Sequence, residues 1–103
     1  MFVLVSKLLA DEAAINAAIA SHSAFIEDGY ERGRILVSGR REPWEGGVIV
    51  ARGDSLEEMR VWVAADPLVI AGLIHYDVYE FNATAFPKRS AGFDLFERAP
   101  LEA

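Results

Sequence analysis

The chain has 103 residues, 52% of them apolar, with 16 acidic and 10 basic residues for a formal charge of −6. That length holds one core and excludes a two-domain enzyme with separate cofactor and substrate halves, while the apolar share excludes a disordered chain. The acidic balance argues against nucleic acid or an anionic membrane as partner, the densest basic cluster being Arg40-Arg41.

The chain opens on Phe2–Leu8, FVLVSKL, whose apolar and β-branched start predicts a strand. It has neither a basic leader with a cleavage site nor an apolar run near the roughly eighteen residues of a membrane span. A cytoplasmic protein is expected. Asp11 to about Arg32 carries Ile15, Ala18, Ile19, Phe25 and Ile26 at helical spacing, with Asp11 placed to cap the start and Gly33 to end it. Arg34–Arg40 and Val48–Arg52 follow as two strands of a hairpin, joined by a loop containing Pro43, Gly46 and Gly47. Ser55 and Glu58 form a capping box for a helix with Leu56, Met59 and Val63 on one stripe. Asp66-Pro67 stops that helix and starts one further turn, which Gly72 ends. Leu73 to about Ala83 is the last strand. The remainder, 84–103, contains Phe86, Phe93 and Phe96 and is expected to pack on the domain or on a partner.

The order β-α-β-β-α-β predicts an α+β, ferredoxin-like fold over residues 1–83: an antiparallel four-stranded sheet with two helices on one face. The other face would then be bare. A sheet facing water alternates apolar with polar residues, but Phe2-Val3-Leu4-Val5, Ile35-Leu36-Val37 and Val48-Ile49-Val50-Ala51 are apolar on both sides. A second copy packed sheet to sheet, a homodimer, is the simplest cover.

Few residues are equipped for chemistry. The absence of cysteine removes disulfide frameworks, thiolate metal sites and thiol nucleophiles. Dinucleotide, phosphate-loop, nucleophile-elbow and zinc-protease motifs are missing, so nothing points to a nucleotide or another cofactor. His22 lies on the line Ile15, Ile19, His22, Ile26 and reads either as a satisfied core histidine or as an acid–base group at a pocket rim. Asp66 reads as the N-cap before Pro67, or as the carboxylate that orients a histidine. Ser38-Gly39-Arg40 ends the second strand. Gly39 permits a bulge or a close ligand approach there, Ser38 a hydrogen bond, and Arg40 a carboxylate or phosphate contact, against the plain alternative of a solvated strand end. His75 and Asp77 share a face but are too few for a metal site. Tyr76, Tyr79 and Trp44 read chiefly as packing residues.

Taken together, FVLV, SHSAFIEDGYERGRIL, LVSGR, SLEEMRVWVAADP and ADPLVIAGLIHYDVYEF resemble the YciI-like (YCII-related) family over residues 1–83. The resemblance implies a dimeric α+β barrel of two ferredoxin-like subunits. It implies an active site on His22 and Asp66, with Ser38 nearby, and lyase or dehydrochlorinase-type proton chemistry on small, often ring-shaped compounds. The chain departs from the family pattern at Leu68, where an aromatic residue commonly follows Asp-Pro, at Arg40, where proline often follows Ser-Gly, and at Ser23-Ala24, where a more apolar stretch usually follows the histidine.

Three functions fit. One is a cofactor-free enzyme in which His22 and Asp66 move a proton on a small metabolite held by Ser38, Gly39 and Arg40. Another is a non-catalytic dimeric module that binds a small molecule in the same pocket. The weakest is a metal-free, monooxygenase-like relative within the same barrel superfamily.

Overall fold

A computed structural model describes residues 1–85 of the chain. The elements are β1 (Phe2–Leu8), α1 (Glu12–Glu31), β2 (Ile35–Arg40), β3 (Gly47–Ala51), α2 (Leu56–Val63), α3 (Pro67–Ile70) and β4 (Ile74–Glu80). The sheet order is β2-β3-β1-β4 with every neighbouring pair antiparallel. This is the expected α+β, ferredoxin-like arrangement. The last strand is shorter than expected and the second helix stops at Val63 rather than at Asp66. From residue 86 onward the expected packing of the tail lies outside the described residues.

The caps explain the helix limits. Asp11 accepts from the Ala14 N–H at 2.9 Å and Ser55 from the Glu58 N–H at 3.1 Å, each supplying an acceptor to an otherwise unpaired first-turn donor. Glu58 reaches back to the Asp54 N–H and also takes the Arg34 guanidinium at 2.7 Å. The Arg34 hydrogen bond, then the one from Asp54, hold the Glu58 carboxyl below its ordinary range. Gly33, at φ 71°, turns the chain out of α1 in the left-handed region that glycine enters without a Cβ clash.

Cross-strand partners share a face, so the register divides the sheet. Phe2, Leu4, Ile35, Ile49 and Ala51 point toward the helices and are buried with Met59 and Val63 of α2. Ile15 of α1, Leu68 of α3 and Ile74 of β4 form a second buried cluster. The two clusters meet at Tyr76, which packs against both. The opposite face carries Val3, Val5, Val48, Val50, Val37 and Tyr79, with Lys7, His75 and Asp77 toward one end. Val37 and Tyr79 are more than half exposed there.

The β2–β3 loop is clamped to β1. The Leu8 N–H donates to Glu45 O at 2.8 Å, and Arg41 donates to Ser6 O at 3.3 Å. Gly46 lies so close to β1 that an added Cβ would meet the Ser6 carbonyl, and its φ of 152° disfavours a side chain independently. Gly46→Ala is therefore expected to lower stability by about 1–3 kcal/mol or more, read as a fall in the urea unfolding midpoint with an unchanged m-value.

Candidate active site

The site begins with two small residues in the sheet. On the helix-facing side, Arg40 lies opposite Gly47, and Ser6 lies opposite Tyr76. Ser6 and Gly47 are joined by the Gly47 N–H donating to Ser6 Oγ at 2.8 Å. The row Arg40, Gly47, Ser6, Tyr76 thus has almost no side-chain height at its centre. The space above it is a cavity of about 440 Å³ beneath α1, within the size range of small-molecule sites. Ile15, Ile19, Ile26, Trp44 and Leu68 supply much of its apolar wall.

His22, on the inward stripe of α1, lines this cavity with a side chain 21% exposed. Its Nδ1 lies 2.9 Å from Asp66 Oδ2 and 3.0 Å from Oδ1. Asp66 is wholly buried, at 0% exposure. A buried carboxylate is tolerable only when its oxygens are satisfied, and donors come from three elements. The Leu68 N–H of α3 donates to Oδ1 at 2.9 Å, the Tyr76 O–H of β4 to Oδ2 at 2.9 Å, and His22 of α1 completes the set. Asp66 is thus an N-cap and a histidine partner at once. With Nδ1–H directed at the carboxylate, Nε2 is the ring nitrogen left to a ligand.

Tyr76 joins this cluster although its sequence context suggested packing. Burial, first, and then the charge of Asp66 and the hydrogen bond to it, push the Tyr76 phenol far above its ordinary range. The signal was its parity: Ile74, Tyr76 and Val78 alternate along β4 on the side that faces the helices.

Ser38 reaches the cavity through a bulge. From inward-facing Ile35, strict alternation would turn Ser38 to the bare face. A register shift between Ile35 and Val37 sets Val37 opposite Val50 and Ser38 opposite Ile49, reversing the parity. Ser38 Oγ then lies 2.7 Å from Tyr30 Oη, a bond that ties the last turn of α1 to β2. The irregularity thus precedes Gly39 rather than occurring at it. The Gly39 backbone lines the cavity, but a Cβ added there meets nothing within 4 Å, so close approach does not demand a glycine. Arg40 also lines the cavity, its guanidinium 4.2 Å from the Trp44 ring centroid.

His75 and Asp77 stand apart from this cluster. They pair at 3.2 Å on the exposed side of β4. Among the described residues no group of three or more His, Cys, Asp or Glu is arranged to hold a metal, and no helix is long and apolar enough to cross a membrane.

A family model described as the YCII-related domain matches residues 1–82. The chain belongs to the YCII-related family. A search of curated proteins finds no match. Among solved structures, this YCII-related chain is similar to 5-chloro-2-hydroxyhydroquinone dehydrochlorinase (TftG) from Burkholderia phenoliruptrix AC1100, in a complex with 2,5-dihydroxybenzoquinone. The TM-score is 0.65 at 20% identity, covering 80% of this chain and 94% of that one. At that identity the likeness establishes the shared fold.

The raised phenol gives this YCII-related domain an alkaline signature. A group whose folded pKa is raised contributes stability that is complete below its unfolded value, about 10 for tyrosine, and is lost as pH rises above it. The thermal unfolding midpoint is expected to fall above about pH 10, with a smaller fall in Tyr76→Phe. Differential scanning calorimetry across that range checks it.

Proposed function

We propose that this YCII-related protein catalyses a proton transfer of lyase or isomerase type on a small metabolite, with His22 as the acid–base group and Asp66 as its orienting partner. The observation that carries the reading is the His22 Nδ1 to Asp66 contact of 2.9 Å in the wall of a cavity. An imidazole oriented through Nδ1 by a carboxylate offers Nε2 to substrate, and the carboxylate stabilises the imidazolium once a proton arrives. In the forward step a substrate C–H breaks and its proton passes to Nε2. The electron pair left on carbon forms a double bond and either expels a leaving group on the neighbouring carbon or moves into a conjugated carbonyl. Return of the proton to a different atom completes an isomerisation, and its delivery to the leaving group completes an elimination.

Recognition falls to the end of β2. Ser38 Oγ offers a hydrogen bond, the Gly39 backbone forms part of the wall, and Arg40 supplies positive charge for an acidic substituent. Among the described residues no carboxylate pairs with Arg40, which leaves its donors to a ligand. The dehydrochlorination performed by the structural neighbour is an elimination, the type of step this pair is equipped to run.

We further propose that the working unit is a homodimer joined through the bare sheet face. Val3, Val5, Val37, Val48, Val50 and Tyr79 lie together on that face, an apolar patch of the kind that marks an interaction surface. A two-fold pairing of this face with itself covers it on both copies. Light scattering at low micromolar concentration is expected to give twice the 11.3 kDa chain mass, and Val5→Lys with Val50→Glu to give the monomer. A monomeric wild type overturns the pairing.

For catalysis, a turnover screen begins with 5-chloro-2-hydroxyhydroquinone and extends through small cyclic and acyclic acids. His22→Ala is expected to lower kcat about 10²–10⁴-fold, and Asp66→Asn to lower it less steeply. Arg40→Ala is expected to raise KM for anionic substrates. Ligand binding with no turnover, or equal turnover in all variants, leaves a binding module instead.

A further inference from the structure

We propose that Tyr76 is a positioning residue: by holding Asp66 Oδ2 it limits how strongly the carboxylate draws on His22, and so sets the protonation of the imidazole in the cavity. The inference rests on the His22–Asp66 pair as read above.

The geometry makes the two donors rivals. Oδ2 lies 2.9 Å from the Tyr76 hydroxyl and 2.9 Å from His22 Nδ1. Charge drawn toward one donor is unavailable to the other, and Asp66 itself has no exposure. Packing alone does not call for the hydroxyl. The Tyr76 ring bridges the two apolar clusters, a task phenylalanine performs as well, whereas its O–H meets Asp66 and no other described group.

Among the described residues, the other charged or titratable groups facing His22 are few. Glu27 and Tyr30 lie on its own helix, and Arg40 on β2. β1 and β3 contribute no charged side chain to the cavity lining, and α2 contributes no residue to it. Asp66, shared with Tyr76, is the charge in direct contact with the imidazole.

The chain has two histidines, so a His75→Gln background isolates His22. Diethyl pyrocarbonate acylates neutral imidazole, and the pH dependence of its rate, followed by absorbance, reports His22 protonation without any substrate. Tyr76→Phe is expected to move this profile to higher pH and so to slow the reaction on its acid limb. A superimposable profile overturns the proposal.

A fluorotyrosine at position 76, in a Tyr30→Phe, Tyr79→Phe chain, keeps the ring and strengthens the donor. It is expected to move the profile to lower pH, and it decides the question if Tyr76→Phe fails to fold by circular dichroism. In an Asp66→Asn background the Tyr76→Phe change is expected to move nothing, and a shift there overturns the route through Asp66. Turnover lost in His22→Ala with an unmoved profile rejects this inference alone. A moved profile with turnover indifferent to His22→Ala rejects the catalytic reading alone.

Discussion

A carboxylate with no exposure constrains everything around it. Asp66 sits at the junction of α1, α3 and β4, and its donors come from His22, Leu68 and Tyr76 on those three elements. Leaving a buried carboxylate oxygen unpaired costs several kcal/mol, comparable with the net stability of a domain this size. The helix bearing His22 and the strand bearing Tyr76 are therefore fixed relative to Pro67. The hydrogen bond that starts α3 also orients the carboxylate toward the imidazole.

The cavity follows from what the sheet omits. A four-stranded sheet under two helices ordinarily fills its inner face with large side chains. Here Ser6 and Gly47 occupy the centre of one row, with Tyr76 at one end and Arg40 at the other. Neighbouring rows, with Leu4 and Ile49, are packed against the helices. The void is therefore local, with the hydroxyl that meets Asp66 at one end of the row and the Arg40 guanidinium at the other. The bulge in β2 brings Ser38 to the Arg40 end of the cavity by reversing the parity of that strand.

Much of the fold was legible because its signals are local. Asp11, Ser55 and Asp66 cap the helices they precede, Gly33 ends α1, and the strand order follows from the alternation of elements. His22 was legible as a candidate because one histidine interrupts an apolar stripe. Other features depend on distant residues. The two roles of Asp66 were posed as alternatives, and only the approach of Tyr76 and His22 makes them compatible. Tyr76 looked like packing because an aromatic residue in a strand ordinarily packs, and its hydroxyl partner lies ten positions away. The bulge before Val37 has no glycine or proline to announce it, so Gly39 drew the attention instead.

The loop after β2 has a consequence for how ligand range can change. Its ends are anchored to β1 through Glu45 and Arg41, and Gly46 is held against Ser6 by steric necessity. Between those anchors Trp44 lines the cavity with Arg40 beside it, and it also packs against the cluster of Ile15, Leu68 and Ile74. A substitution at Trp44 or Arg40 therefore alters the cavity wall without removing a hydrogen bond of Asp66. Within one small fold, the hairpin can vary only between its anchors, while α1, α3 and β4 are held together through Asp66.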